Sequence, residues 1–412
     1  MVRVLITGIT SLRNRGVEAL LASTTAELRR RSPDLPISVL LTGGDQDFAR
    51  LQAHGVEAVG PGSRPSRKLV RDPRLTARVG RLLSRTVARL SRETARGRVE
   101  EGAAIVIASG GDIFSSHYGG LAKHLQPLER ALRAGVPVVF LAQSIGPFDT
   151  PEEARMWSDV AVRASLVTIR EAVSYDYVVR QLGLPERLVH LTADPAFLLA
   201  LPEATRLAEL RDAYRLGEGP VVAVCPSQVI ARLGLVHPER HLETWLALVR
   251  YIRDDIGARV LVISHVQGVA EHSDDSLLAA RLLQRLGKDP GISAAAGYTA
   301  SEFKGLISGC AMLITERMHP AIAGLSTGTP TVAVRYSIKA DGIMLQAMGQ
   351  ELGRELLIRV EAFIDPSTAI RASQAAWDRR SEVAAVLAAR IPDVQALAAR
   401  NFELIEELMP KY

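Results

Sequence analysis

Met312-Leu313-Ile314-Thr315-Glu316-Arg317-Met318-His319-Pro320-Ala321-Ile322-Ala323-Gly324 decides how this chain is read. A short apolar strand delivers an arginine and a histidine, two positions apart, to a strand end. A helix of small residues follows, and a second strand, Thr331–Val334, leads to Tyr336 and Lys339. In an open α/β sheet, ligands bind in the crevice outside the carboxyl ends of the strands. Arg317 can grip a phosphate or carboxylate with a two-pronged fork. His319 titrates near neutral pH and can give or take a proton. Lys339 adds a point charge. Together they suit a small, multiply charged anion. The structural alternative makes Arg317 an ion-pair residue and His319 a partner of nearby backbone.

Working outward, apolar runs alternate with amphipathic patterns along the whole chain. Strands are expected at Val2–Thr7, Ile37–Leu41, Ala104–Ala108, Val136–Leu141, Leu166–Ile169, Val221–Cys225, Val260–Ile263, Met312–Ile314 and Thr331–Val334. Helical periodicity fills the intervals, as at Val17–Arg31, Leu242–Ile256 and Ala300–Cys310. Continuous apolar strands separated by helices mean parallel sheets covered on both faces. The expected fold is α/β, with two doubly wound Rossmann-like domains facing a cleft, at 1–200 and 201–412. The boundary falls near 200–218, where Gly217-Glu218-Gly219-Pro220 opens the second unit. The helices after Pro366 are expected to pack along the second domain or cross back to the first.

Several further turns follow expected strands. Ser109-Gly110-Gly111-Asp112 lets a ligand approach backbone closely and offers Ser109 or Asp112 to a hydroxyl; a tight strand–helix turn explains it as well. Arg170 ends one strand and Glu171 opens the next helix, where an anion is favoured. Arg170 would then clamp a second charged group, unless it simply pairs with Glu171 or Asp194. His265 follows another strand and can reach the cleft or cap a turn. No G-x-x-x-x-G-K-[ST] or G-x-G-x-x-G pattern occurs, which disfavours P-loop and nicotinamide enzymes. The nine histidines lack metal-ligand spacing.

The ordered set of motifs resembles the polysaccharide pyruvyl transferase family. Its signature elements match Arg317 with His319, Ala323 through Gly328 and Pro330, and Tyr336 with Lys339. Upstream they match Ser109–Asp112, Gln143-Ser144-Ile145-Gly146-Pro147, Thr168–Glu171 and Asp194-Pro195-Ala196-Phe197. The resemblance covers about residues 1–350. It implies a GT-B-like arrangement and a ketal pyruvyltransferase that uses phosphoenolpyruvate as co-substrate, without metal or other cofactor, on a sugar or glycan acceptor. On this reading His319, Arg317 and Lys339 are catalytic. Arg170, Arg317, Lys339, Ser144 and Gly146 bind the donor, and Asn14, Gly110, Gly111, Asp112 and His265 face the acceptor. One departure is Val17, where the family's first turn carries an acid; Asn14, Gly16 and Glu18 match. Two other readings stay open. One is a GT-B glycosyltransferase using a sugar nucleotide, with Glu316 at the ribose. The other is a non-catalytic, membrane-associated member of a polysaccharide assembly complex.

The bulk properties agree with an enzyme. The chain has 412 residues, 47% hydrophobic and 23% charged, enough for two well-packed domains. Its two cysteines, Cys225 and Cys310, suit a reducing compartment. The first apolar run is too short for a signal peptide, and none approaches the roughly 20 residues of a membrane span. A cytoplasmic protein is expected. The net charge of +5 is concentrated between Arg64 and Arg98, where Arg74, Arg78, Arg81, Arg85 and Arg89 recur opposite Leu75, Val79, Leu82 and Leu90. An arginine-faced amphipathic helix offers peripheral contact with the inner face of an anionic membrane. A solvated face explains it equally. Aromatic stacking residues are absent there, so nucleic acid is not an expected partner.

Overall fold

The apolar strands assemble into two parallel sheets. The computed structural model describes residues 3–41, 47–59, 100, 102–116, 120–268, 270, 273–336 and 339–409. The first sheet contains β1 (Val4–Thr7), β2 (Ile37–Leu40), β3 (Glu57–Val59), β4 (Ile105–Ala108), β5 (Val138–Gln143), β6 (Leu166–Ile169) and β7 (Val189–Leu191), in the order β3-β2-β1-β4-β5-β6-β7. The second contains β8 (Val221–Cys225), β9 (Arg259–Ile263), β10 (Ile292–Ala295), β11 (Met312–Thr315), β12 (Thr331–Arg335) and β13 (Leu357–Arg359), in the order β10-β9-β8-β11-β12-β13. The α/β class with two Rossmann-like units is therefore the observed architecture.

Both faces of each sheet are buried, for the reason the continuous apolar runs suggested. Side chains alternate across a strand. Val4 and Ile6 of β1 pack into one apolar cluster and Leu5 into another. In β8, Val222 and Val224 join one cluster, and Val221, Ala223 and Cys225 the opposite one. Cys225 and Cys310 are free and buried; burial pushes the Cys310 thiol up to about 12. Val17 is also a core residue, 7% exposed and packed behind β1. An acid at that position would enter this apolar cluster.

The sheet order places the site. In the first sheet the chain reverses direction of growth between β1 and β4, and in the second between β8 and β11. Such switch points open a crevice at the carboxyl edge. Gly8 follows β1 so closely packed that a Cβ there would lie 1.9 Å from the Ser109 carbonyl oxygen after β4.

The long helix Arg380–Leu408 ties the units together. Val383, Leu387 and Val394 pack with the second sheet, whereas Phe402, Leu404 and Ile405 join the core behind β1. Asn401 donates to the Ala193 carbonyl at 2.9 Å. The end of the chain thus belongs by packing to the first core. The arginine-rich stretch 64–98 lies outside the described residues. Among the described residues, no helix is long and apolar enough to cross a membrane.

Candidate active site

The switch-point loops of the two domains meet face to face. Asn14 caps the helix Arg15–Arg31 through the Gly16 N–H and pairs with Val266 beyond β9. Arg15 N–H donates to the His265 carbonyl at 3.3 Å, and Gln267 N–H to the Arg13 carbonyl at 3.2 Å. Opposite them stands the helix Met318–Ser326, with Arg317 as its N-cap and no side chain capping it. That leaves the Met318 and His319 N–H groups at its start, Pro320 having none. The His319 ring lies against Gly16, where a Cβ would sit only 2.3 Å from Nδ1. Only glycine allows that approach.

His319 Nε2 is buried without a hydrogen-bond partner. Burial holds the imidazole below its ordinary titration range; Asp194 and Asp112 raise it, and Arg170 and Arg317 lower it further. His265 is 4% exposed and is depressed well below its ordinary range, first by burial and then by His319. The two rings line a small cavity together with Lys304.

Both arginines are anchored. Arg317 donates from Nε and Nη2 to the two Asp275 oxygens at 3.0 and 2.6 Å. Asp275 also accepts the Gln228 and Val266 N–H groups, each at 3.0 Å. The fork that could have gripped a ligand is occupied by a buried carboxylate, leaving Nη1 as the open edge. Arg170 donates to Ser144 Oγ at 2.8 Å and to Asp194 at 2.6 Å, the second of its sequence alternatives. Burial opposes both cations, and Asp275 and Asp194 outweigh it, so each guanidinium is held more firmly charged.

The remaining candidates separate. Gly111 and Asp112 border Arg170, and a Cβ on Gly111 would lie 2.8 Å from Arg170 Nη1. Gly110 packs instead against the Gly8 carbonyl and Ile113. Ser144 is fully buried and donates its N–H to the Gly111 carbonyl at 2.6 Å. Gly146 packs on the Tyr177 ring. Of the two, Ser144 is the one that touches Arg170. Lys339 opens the helix Lys339–Met348, and its side chain lies outside the described residues. Glu316 is 2% exposed, with one oxygen on the Ser227 N–H at 2.6 Å and the other 2.7 Å from His241 Nε2. Both oxygens are thus engaged inside the fold. Among the described residues no His, Cys, Asp and Glu cluster forms a metal site.

Sequence reasoning missed Asp275 and Lys304. Asp275 lies 42 positions from Arg317 and reads locally as the start of the helix Asp275–Leu286. Lys304 left a signal: it interrupts the apolar stripe Ala300-Phe303-Ile307 at a position that must face the core. It is 4% exposed, and its ammonium donates to the Leu199 carbonyl at 2.6 Å. Burial lowers it to about 8.

A sequence model described as Polysaccharide pyruvyl transferase matches residues 13–338. The chain belongs to the polysaccharide pyruvyl transferase family. Among curated proteins, the amylovoran biosynthesis protein AmsJ of Erwinia amylovora is 27% identical over 248 residues, which is 58% of this chain and 59% of that protein. The chain therefore matches somewhat over half the length of this relative. Solved structures resemble it over nearly their whole length. A UDP-GlcNAc 2-epimerase from Neisseria meningitidis, bound to UDP-GlcNAc, superposes with TM-score 0.63 at 11% identity, covering 98% of this chain and 100% of its own. A glycosyltransferase from Rickettsia africae gives TM-score 0.54 at 10% identity, covering 99% and 98%. These likenesses establish the GT-B-like fold.

Proposed function

We propose that this pyruvyl transferase family member forms a pyruvate ketal on a sugar of a polysaccharide or lipid-linked glycan precursor, with phosphoenolpyruvate as donor. The observation that carries the reading is the uncapped helix start bearing His319, placed between two arginines that buried carboxylates hold rigid. Helix N–H groups and fixed cations favour phosphate without reorganising as the reaction proceeds. Arg317 through Nη1, Arg170 and Lys339 hold the donor's phosphate and carboxylate.

A neutral His319 acts first as a base. It takes the proton of one sugar hydroxyl as that oxygen bonds to the C2 carbon of phosphoenolpyruvate, and that proton is passed on to the methylene carbon. The second hydroxyl oxygen then replaces phosphate at the same carbon, and its proton leaves with the phosphate. Asp112, beside Arg170, faces the acceptor hydroxyls. No metal is required by this chemistry. The sealed Glu316 weighs against a sugar-nucleotide donor. Thermal unfolding with phosphoenolpyruvate or a UDP-sugar separates the two, because a ligand of the folded state raises the midpoint by mass action. An acceptor screen reading phosphate release follows. Stabilisation by the UDP-sugar alone would overturn the proposal.

A further inference from the structure

Beside the His319 cleft lies a second cavity that the donor chemistry leaves unused. It holds about 240 Å³ between the two domains and is lined by Glu18, Ala22, Arg50, His54, Thr299 and Ala300, among others. Glu18 is 2% exposed. One of its oxygens accepts from Arg15 Nη1 at 2.8 Å, and the other stands 3.5 Å from His54 Nε2. Arg50 on the wall has no ion pair among the described residues.

Charge, shape and position narrow the occupant. Of the side chains that line it, Glu18 and Arg50 carry opposite charges. A balanced cavity favours neither an anion nor a cation. It offers guanidinium and imidazole donors, hydroxyl groups and alanine walls, which is what a neutral ring rich in hydroxyls requires. Its volume falls below the roughly 300–1,000 Å³ of drug-sized sites, leaving room for one sugar ring rather than a nucleotide. Gly16 touches His319, and Glu18 and Ala22 follow on the same helix, about 3–9 Å farther along its axis. Ala300 lines both this cavity and the one bordered by His319.

We propose that this cavity is a subsite for a second, neutral sugar residue of the acceptor glycan, next to the residue that reacts at His319. The assignment of the reacting sugar rests on the ketal reading above; binding at the subsite can be measured without donor or turnover. The probes are neutral mono-, di- and trisaccharides of galactose, glucose, mannose and N-acetylglucosamine, titrated calorimetrically into the full chain. At least one longer saccharide should bind about tenfold or more tightly than its monosaccharide. Arg50→Ala/His54→Ala, and separately Ala53→Trp at another lining residue, which fills the space without removing a polar group, should reduce that gain to within about threefold. Thermal unfolding confirms that each variant is folded. A parent with no gain from added length, or a gain that survives both variants, overturns the subsite. If length-dependent binding is present but phosphoenolpyruvate gives no phosphate release, the subsite stands and the donor assignment falls.

Discussion

Replacing Lys304 with methionine should make the protein more stable at neutral pH and should do so less as pH rises. The Lys304 ammonium sits among apolar groups with one carbonyl partner and no carboxylate. Burial lowers it from 10.5 to about 8. At about 1.4 kcal/mol per tenfold change in proton affinity, keeping that proton costs the folded state about 3 kcal/mol near pH 7. Methionine removes the cost with a side chain of similar length, but the Leu199 carbonyl loses its donor, worth about 1 kcal/mol or somewhat more. The expected net gain is about 1–2 kcal/mol at pH 7. The sign of the pH dependence follows from linkage. Between pH 8 and 10.5 the unfolded chain holds more protons than the folded one, so the parent gains stability as pH rises through that window. Lys304→Met lacks the titrating group. Its advantage should shrink by about 3 kcal/mol and vanish or reverse near pH 10.5. Urea unfolding at pH 7, 8.5 and 10, followed by the fluorescence of buried Trp157 and Trp245, measures it. A stability difference that stays constant across these pH values refutes the argument.

Four other outcomes follow from the site. Gly16→Ala should push the His319 ring away from its place, given the 2.3 Å approach, and lower kcat by about 100-fold, with donor binding much less affected; equal loss in kcat and in donor affinity would show a wider collapse. His319→Gln should abolish turnover while phosphoenolpyruvate still binds. In the parent, the acid limb of kcat/KM should lie below pH 6.5, because burial depresses His319 and the base form is needed; a limb above that value contradicts the assignment. Asp194→Asn leaves Arg170 buried, 3% exposed, without its carboxylate, and should cost about 3–5 kcal/mol in urea unfolding. A loss under about 1 kcal/mol would mean the pair adds little.

The sequence by itself determined the interior of both sheets and the loops that carry the site. Nine strand runs were legible because a strand buried on both faces must be largely apolar along its length, a local property. The four strands it did not show, β3, β7, β10 and β13, are the four sheet edges. Each has exposed or half-buried positions, as in the Glu57-Ala58-Val59 edge, so burial did not force an apolar run. The placement of Arg317, His319, Arg170 and His265 at carboxyl edges was legible for the same reason: each follows an apolar run directly. Tertiary structure alone decided what those residues do to one another. The Arg317–Asp275 pair joins positions 42 apart, the Gly16–His319 contact joins two domains, and Lys304 is set against a carbonyl 105 positions away. Such partners depend on which surfaces the folded chain brings within a few ångströms. Desolvation, which makes His319 neutral and Lys304 costly, exists only once those surfaces have closed.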